Sequence, residues 1–304
     1  MTESAPVRDI CTHSGAFHAD DVFSLAVLLT LWPHARVVRS RDPNVWAECD
    51  MLVDVGNEYA PDRGRFDHHQ ASFRGEREGV QYASSGLIWK EFGRAYLERV
   101  QGSFQDIAVQ EATWQALDRK LVQPLDLADT GQGQPDWGYS TLPSLVYTFN
   151  ATWREESDAE ETQRFLAAVK LVQELLAQVT RSARAEVQAE QLVMQAQELF
   201  DGKVLVLPQV GLPWREAVLD HKPAALFVVC ARSGGDWGVQ VVPKRADSFE
   251  ARKNLPTSWG GKNGEDLASL TGVQDAVFCH KQLFIASAQS QHGALRLAEQ
   301  ALQA

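Results

Sequence analysis

A chain of 304 residues is long enough for two domains with separate cores, and 44% hydrophobic and 23% charged residues without a low-complexity tract give it a globular make-up. Its formal net charge of −11 speaks against a tight, non-specific grip on long duplexes, which takes a basic surface, yet leaves room for a short phosphorylated substrate neutralised by bound cations. Four scattered cysteines form no CxxC pair, which excludes a Cys-based zinc site and a dense disulfide framework and points to a reducing, cytoplasmic setting.

The opening "MTESAPVRDI" lacks the basic start and apolar stretch of a signal peptide, and the apolar run "VFSLAVLLTLWP" is too short to span a bilayer. No membrane is therefore expected as a partner. "RDICTHSG" reads as a strand and "ADDVFSLAVLLTLW" as an amphipathic helix, with His34 an ordinary surface residue just beyond it. "ARVVRS" and "DMLVDVG" read as buried strands. "SSGLIWKEFGRAYLERV" reads as a helix capped by Ser84 or Ser85, and "FQDIAVQEATWQALDRKL" as another. This alternation predicts an α/β fold, a doubly wound and mainly parallel sheet over residues 1–150. Residues 151–200 lack Pro and Gly from 155 onward and read as a long helical connector of one or two helices. Residues 201–304 carry four short strand runs, "KVLVLP", "ALFVVCAR", "WGVQVVP" and "DAVFCHKQLFIAS", before the closing helix "HGALRLAEQALQA", and form a second, smaller α/β domain.

The chemistry concentrates near the N-terminus. Five of the eight histidines fall within residues 13–69, under a fifth of the chain. His13, His18 and Asp20 stand in "THSGAFHADD" after the first strand, Asp54 ends the strand "MLVDVG", and Asp67, His68 and His69 form a DHH loop between glycines. In an open parallel sheet the carboxyl ends of the strands converge on one crevice, so these residues are delivered to one place. Imidazole nitrogens mixed with carboxylate oxygens suit Mn, Fe, Co or Zn. A strand-end Asp alone is more often a turn cap, and a lone His more often a surface residue, so the reading rests on their joint placement.

These stretches, with "RSRDP", "CDMLVDVG", "RFDHHQASF", "PWREAV", "WGVQVVP", "SFEARKNLP" and "VFCHKQLFIAS", closely resemble the melanocyte-proliferating-gene family, related to the DHH phosphoesterases. The resemblance implies a DHH-like two-metal phosphoesterase fold; a eukaryotic member is regarded as a 3′–5′ RNA exonuclease, and relatives include oligoribonucleases, cyclic-dinucleotide phosphodiesterases and pyrophosphatases. It implies two divalent ions, Mn2+ first, with Mg2+, Co2+, Fe2+ or Zn2+ as alternatives. Their ligands would be His13, His18, Asp20, Asp54, His68 and Asp129, with Asp126 the alternative to Asp129 in "PLDLADTG". His18 stands where many relatives have Asp, and Thr130 where the family tends to have Asn. Asp54 matches the carboxylate that bridges both metals, His69 the residue that meets the substrate phosphate, and Asp67 a partner that fixes an imidazole tautomer. These three form the catalytic set.

Arg39 and Arg41 after the second strand, and Arg63, Arg65 and Arg74 around the DHH loop, are candidates for reading further phosphates. In the second domain Lys244, Arg245, Arg252, Lys253, Trp259 and His280 are the candidate substrate contacts, with Phe249 beside them. Ala286 and Ser287 replace glycines that the family tends to place there. The expected activity is two-metal phosphodiester hydrolysis, a 3′–5′ exonuclease on short single-stranded RNA or DNA. A small-molecule phosphohydrolase for a dinucleotide or pyrophosphate is the runner-up, and a non-catalytic metal-binding regulator the reading from another class; a further copy of the chain, in a homo-oligomer, is a candidate partner beside the nucleic-acid or nucleotide substrate.

Overall fold

The computed structural model describes residues 7–103, 106–133, 138–155, 160–248 and 250–304; Phe249 lies outside them. The chain divides into two compact units, residues 1–184 and 185–304, both mixed α/β.

The first unit opens with β1 (Asp9–Thr12), α1 (Ala19–Leu31), β2 (Arg36–Arg39), α2 (Pro43–Trp46) and β3 (Met51–Val53), followed by β4 (Tyr59–Ala60) and β5 (Arg65–Phe66). The sheet runs β2-β1-β3-β5-β4, parallel except where β4 folds back against β5. Ile10, Cys11 and the whole of β3 are buried, as strands covered on both faces must be. Since β2 and β3 flank β1 on opposite sides, the strand order reverses between β1 and β3, the position at which open α/β sheets bind ligands.

A hairpin of β6 (Glu76–Arg77) and β7 (Val80–Gln81) leads into α3 (Ser84–Gln101), against which α1 packs. The serine cap expected for α3 is not what forms. Ala83 is the N-cap, and Ser84 and Ser85 are fully buried inside the first turn, their hydroxyls directed at carboxylates. The next helix is also longer than its periodicity indicates. α4 (Ile107–Leu117) runs through a π-turn at Asp118–Val122 into α5 (Gln123–Asp129), so "PLDLAD" is helical and ends on Asp129. Arg77 holds Asp118, the first residue of this π-turn, through Nε at 2.9 and 2.7 Å. α6 (Leu142–Tyr147) and α7 (Glu161–Met194) follow.

α7 is one 34-residue helix, and its early turns bury Phe165, Val169, Val172 and Leu176 in the first unit's core. It ends short of residue 200, a correction to the connector's expected extent. Gln197–Leu199 is instead β8, paired antiparallel to β9 (Val204–Val206). Phe200, Asp201 and Gly202 all adopt positive φ, which reverses the chain within three residues. The second unit continues with α8 (Arg215–His221), β10 (Phe227–Ala231), β11 (Trp237–Val241), α9 (Gly264–Thr271), β12 (Ala276–Cys279), β13 (Ile285–Ala288) and α10 (Gln291–Gln303). Its sheet is ordered β12-β13-β11-β10-β9-β8, with only the β9–β10 pair parallel. No helix among the described residues is long and apolar enough to cross a membrane.

Candidate metal centre

Three neighbouring parallel strands deliver the first residues. The β1–α1 loop carries His13 and His18, Asp54 follows β3, and Asp67, His68 and His69 follow β5. Asp20 lies in the first turn of α1, and Asp129 at the end of α5. His13, His18, Arg41, Asp54, His68, His69, Gln81, Asp129 and Thr130 line one cavity of about 430 Å³.

Asp54 sits between the two halves of the cluster. His13 Nε2 is 3.4 Å from its Oδ2, and His68 Nε2 is 3.3 Å from its Oδ1. Its backbone is left-handed at φ 60°, an uncommon conformation for a residue with a side chain and one that clusters at functional sites. His68 Nε2 is also 3.2 Å from Asp129 Oδ2, while His18 Nδ1 is 4.0 Å from Asp129 Oδ1. Donor atoms of Asp54, His68 and His69 lie within 4.8 Å of one another, and so do those of His18, Asp20 and Asp129.

The electrostatics call for a cation. Asp20 is 1% exposed, and neither of its oxygens has a hydrogen-bond partner. Burial, with the charges of Asp54, Asp129 and Asp21, pushes its carboxyl well above the usual range. His68 is driven the other way from its burial, up to about 10, by Asp129 and Asp54. A buried ionised carboxylate with no partner is costly, and divalent cations within this O/N donor set remove both the desolvation and the mutual repulsion. The residues present therefore fit divalent metal ions.

Of the two candidates on α5, Asp129 lines the cavity. Asp126 is turned into the protein, where its carboxylate accepts from Ser85 Oγ, the Gly86 N–H and Arg77 Nη1. Asp67 accepts from the backbone N–H groups of Asn57 and His69 and lies 2.8 Å from His69 Nδ1, so it orients the imidazole of His69. That His69 ring is 59% exposed in its side chain and faces the cavity.

Several contributors carried no signal recognised in the sequence. Asp21, fully buried, lies 3.2 Å from His13 Nε2 and accepts the His18 N–H at the N-terminus of α1. Ser84 Oγ donates to Asp54 Oδ1 at 3.0 Å. The loop between His13 and His18 is clamped from afar. Asn150 accepts the Phe17 N–H and donates to the Phe17 carbonyl, both at 2.9 Å. Glu161 accepts the Gly15 N–H and an Arg39 N–H, while Arg39 donates its other arm to the Gly15 carbonyl. The adjacent "DD" could have marked Asp21; nothing marks Asn150 or Glu161.

The candidate phosphate readers are placed unequally. Arg41 lines the cavity and donates to the Ser14 carbonyl, with Nη2 3.2 Å from His13 Nδ1. The Arg39 side chain is 2% exposed and lies over the Phe17 and Phe165 rings. Arg65 donates to the Asp50 and Gly64 carbonyls, Arg74 to those of Ala71 and Phe73, and Arg63 pairs with Glu58. In the second unit Lys244 pairs with Glu250 and Arg245 with Asp247. Arg252 spans three carbonyls, of Lys222, Pro223 and Ala225, and Lys253 holds that of Leu302. Trp259 belongs to that unit's core, and His280 stacks near Phe284 with Nδ1 accepting the Gln282 N–H.

Known proteins are similar to this chain in sequence over nearly its whole length. The model of the MYG1_exonuc family, described as "Uncharacterised protein family (UPF0160)", matches residues 9–302. The MYG1 exonucleases of Mus musculus and Homo sapiens are each 33% identical over 98% of this chain, and the chain spans 85% and 86% of them. The MYG1 protein of Saccharomyces cerevisiae is 32% identical over 97% of this chain and 96% of its own. The crystal structure of an uncharacterized protein from Helicobacter pylori G27 aligns over 97% of the chain with a TM-score of 0.21 and 8% identity, too low to bear on the fold.

Proposed function

The chain belongs to the MYG1_exonuc family, and on that premise we propose that it is a two-metal phosphodiester hydrolase of DHH type, a 3′–5′ exonuclease for short single-stranded RNA or DNA. The relatives named as exonucleases support a nuclease. The observation that carries the metal-dependent reading is Asp20, buried with no hydrogen-bond partner for either oxygen, grouped with His18 and Asp129 and facing the charges of Asp54 and Asp21 as well.

His13, His18, Asp20, Asp54, His68 and Asp129 would hold the ions, with Mn2+ the first candidate and Mg2+, Co2+, Fe2+ or Zn2+ the alternatives. Such ions polarise phosphoryl oxygens and make water acidic enough to attack near neutral pH. The chain's own residues then bind and orient. His69, held by Asp67, donates to a non-bridging phosphate oxygen, and Arg41 faces the same cavity. No serine or cysteine lines the cavity among the described residues, and the Thr130 hydroxyl is bonded to the Asp126 carbonyl. Catalysis is assigned to the first unit, which holds all of these residues. Four free, buried cysteines accord with work in the cytoplasm.

A small-molecule phosphohydrolase is the second reading, favoured by the charge of −11 and a cavity whose 430 Å³ also suits a dinucleotide. Mn-loaded protein incubated in parallel with 5′-labelled ten-nucleotide RNA, the matching DNA, and pyrophosphate decides. Progressive shortening of an oligonucleotide from its 3′ end is expected. Turnover of pyrophosphate with intact oligonucleotides would replace the exonuclease reading with the second one.

A further inference from the structure

Asp21 is fully buried, and its Oδ2 has no hydrogen-bond partner. The other oxygen is occupied. Oδ1 accepts the His18 N–H at 3.0 Å and the Val22 N–H at 2.8 Å, which ties the carboxylate into the first turn of α1 and fixes the direction of Oδ2. A buried carboxylate oxygen without a partner is costly unless a cation meets it.

His13 Nε2 lies 3.2 Å from Asp21 Oδ2 and 3.4 Å from Asp54 Oδ2. No hydrogen bond joins the first pair, so the two atoms sit side by side rather than as donor and acceptor. The other ring nitrogen is taken: Nδ1 lies 3.2 Å from the Ser14 carbonyl and 3.2 Å from Arg41 Nη2. An ion that reaches His13 therefore does so at Nε2, next to both carboxylates. The same arrangement recurs in the other half of the cluster. His68 Nε2 also lacks a hydrogen-bond partner, 3.3 Å from Asp54 Oδ1 and 3.2 Å from Asp129 Oδ2. Asp21 thus stands to His13 as Asp129 stands to His68, with Asp54 offering one oxygen to each half.

Neighbouring ligand atoms that share one ion at bonds of about 2.1 Å stand roughly 3.0 Å apart in an octahedron and roughly 3.4 Å apart in a tetrahedron, so the spacing around His13 suits a common ion. Charge agrees. Asp20, Asp21, Asp54 and Asp129 together bring four negative charges against the four positive charges of two divalent ions. We propose that Asp21 is a seventh metal ligand, its Oδ2 coordinating the same divalent ion as His13 Nε2 and Asp54 Oδ2. This rests on the two-metal reading and adds to it a residue one position beyond the HxxxxHxD motif.

The test uses full-length protein stripped with chelator and titrated with Mn2+ in a calorimeter, with ion content checked by elemental analysis. In Asp21→Asn the amide oxygen keeps the two N–H groups of α1, and the NH2, which has no lone pair to give, takes the place of Oδ2. That variant should melt no lower than wild type in chelator. It should keep one ion and lose affinity for the other by more than about 100-fold, beyond the 10- to 100-fold typical of a partner that only orients a ligand. His13→Ala should empty the same site, and the double variant should lose no more than His13→Ala alone. If Asp21→Asn fails to fold, Asp21→Ser is read in the same way, since its hydroxyl remains an acceptor for the His18 N–H. A loss of about 100-fold or less overturns the assignment, and so does a double variant that loses clearly more than His13→Ala alone. Wild-type protein that binds two ions while Asp21→Asn binds both unchanged sinks Asp21 as a ligand and leaves the metal reading standing. Wild-type protein that takes up no Mn2+ sinks the metal-dependent reading itself.

Discussion

Asp54 combines a left-handed backbone, a serine hydrogen bond and contacts to two imidazoles from different strands, and it lies between the two donor groups. If it serves both ions, Asp54→Ala lowers occupancy at both sites; elemental analysis of Mn-loaded protein should give well under one ion per chain, and a single clean loss would mean the carboxylate serves one site only. The adjacent histidines separate by role. His68 is buried between two carboxylates, whereas His69 is held by Asp67 and open to the cavity. His68→Ala should therefore lose metal and turnover together, while His69→Ala should keep its metal and lose about 10²- to 10³-fold in kcat, as removal of one charge-stabilising donor does. The reverse pattern would exchange the two assignments. What was legible in the sequence is the gathering of donor types at strand ends, in HxxxxHxD and DHH. Burial was not: the sequence shows Arg39 as a cation after a strand, and only the fold shows it 2% exposed beneath the loop that carries His13 and His18.

At the level of elements, the metal centre depends on a loop held by partners far away in the chain. Asn150 and Glu161 reach Phe17 and Gly15 across 133 and 146 residues, and an ordinary Asn or Glu gives no periodicity or spacing from which this could be read. β1 to β3, β9 to β11 and α1 were readable from their apolar runs, whereas the short strands β4 to β8 were not. The continuation of α4 through a π-turn was not, since an extra residue in a helix leaves no compositional mark. Asn150→Ala should weaken metal binding by about 10- to 100-fold, the range for partners that orient ligands, with a much smaller change in the melting temperature of chelated protein. An equal loss of stability would make the clamp merely structural. α5 carries a separate pH signature. Burial pushes the Asp126 carboxyl up to about 6, against the hydrogen bonds of Ser85 and Arg77. A folded pKa raised above the unfolded 3.8 means that the folded state holds the proton more tightly. Stability therefore falls as pH rises from about 4 to about 6, by about 3 kcal/mol at 1.36 kcal/mol per unit. In Asp126→Asn that fall should disappear from urea midpoints measured in chelator at pH 4.5 and 7, with Arg77 still held by Asp118. An unaltered difference between the two pH values would show that Asp126 titrates near its ordinary value.

At the scale of the whole molecule, the buried apolar side chains of the described residues gather into separate clusters within each unit. The largest runs from Ile10 to Ala183, while those of the second unit begin at Val193. The composition of the sequence marks residues 151–200 as a helical connector but not where its helix stops, because Gln197–Leu199 pairs as an edge strand while reading as helix. Every candidate metal ligand belongs to the first unit. A ligand that binds only the folded state stabilises it by RT ln(1 + [L]/Kd), about 2.7 kcal/mol at a hundredfold excess over Kd. Metal binding should therefore raise the unfolding temperature of the first unit and leave the second unchanged. Calorimetry of the intact chain with saturating Mn2+ and then with chelator is expected to show one transition moving by several degrees and the other staying in place. Hydrogen exchange should assign the moving transition to residues 1–184. A single transition shifting as a whole would mean that the two cores unfold as one cooperative body, and the metal would then stabilise the entire chain rather than the sheet that holds it.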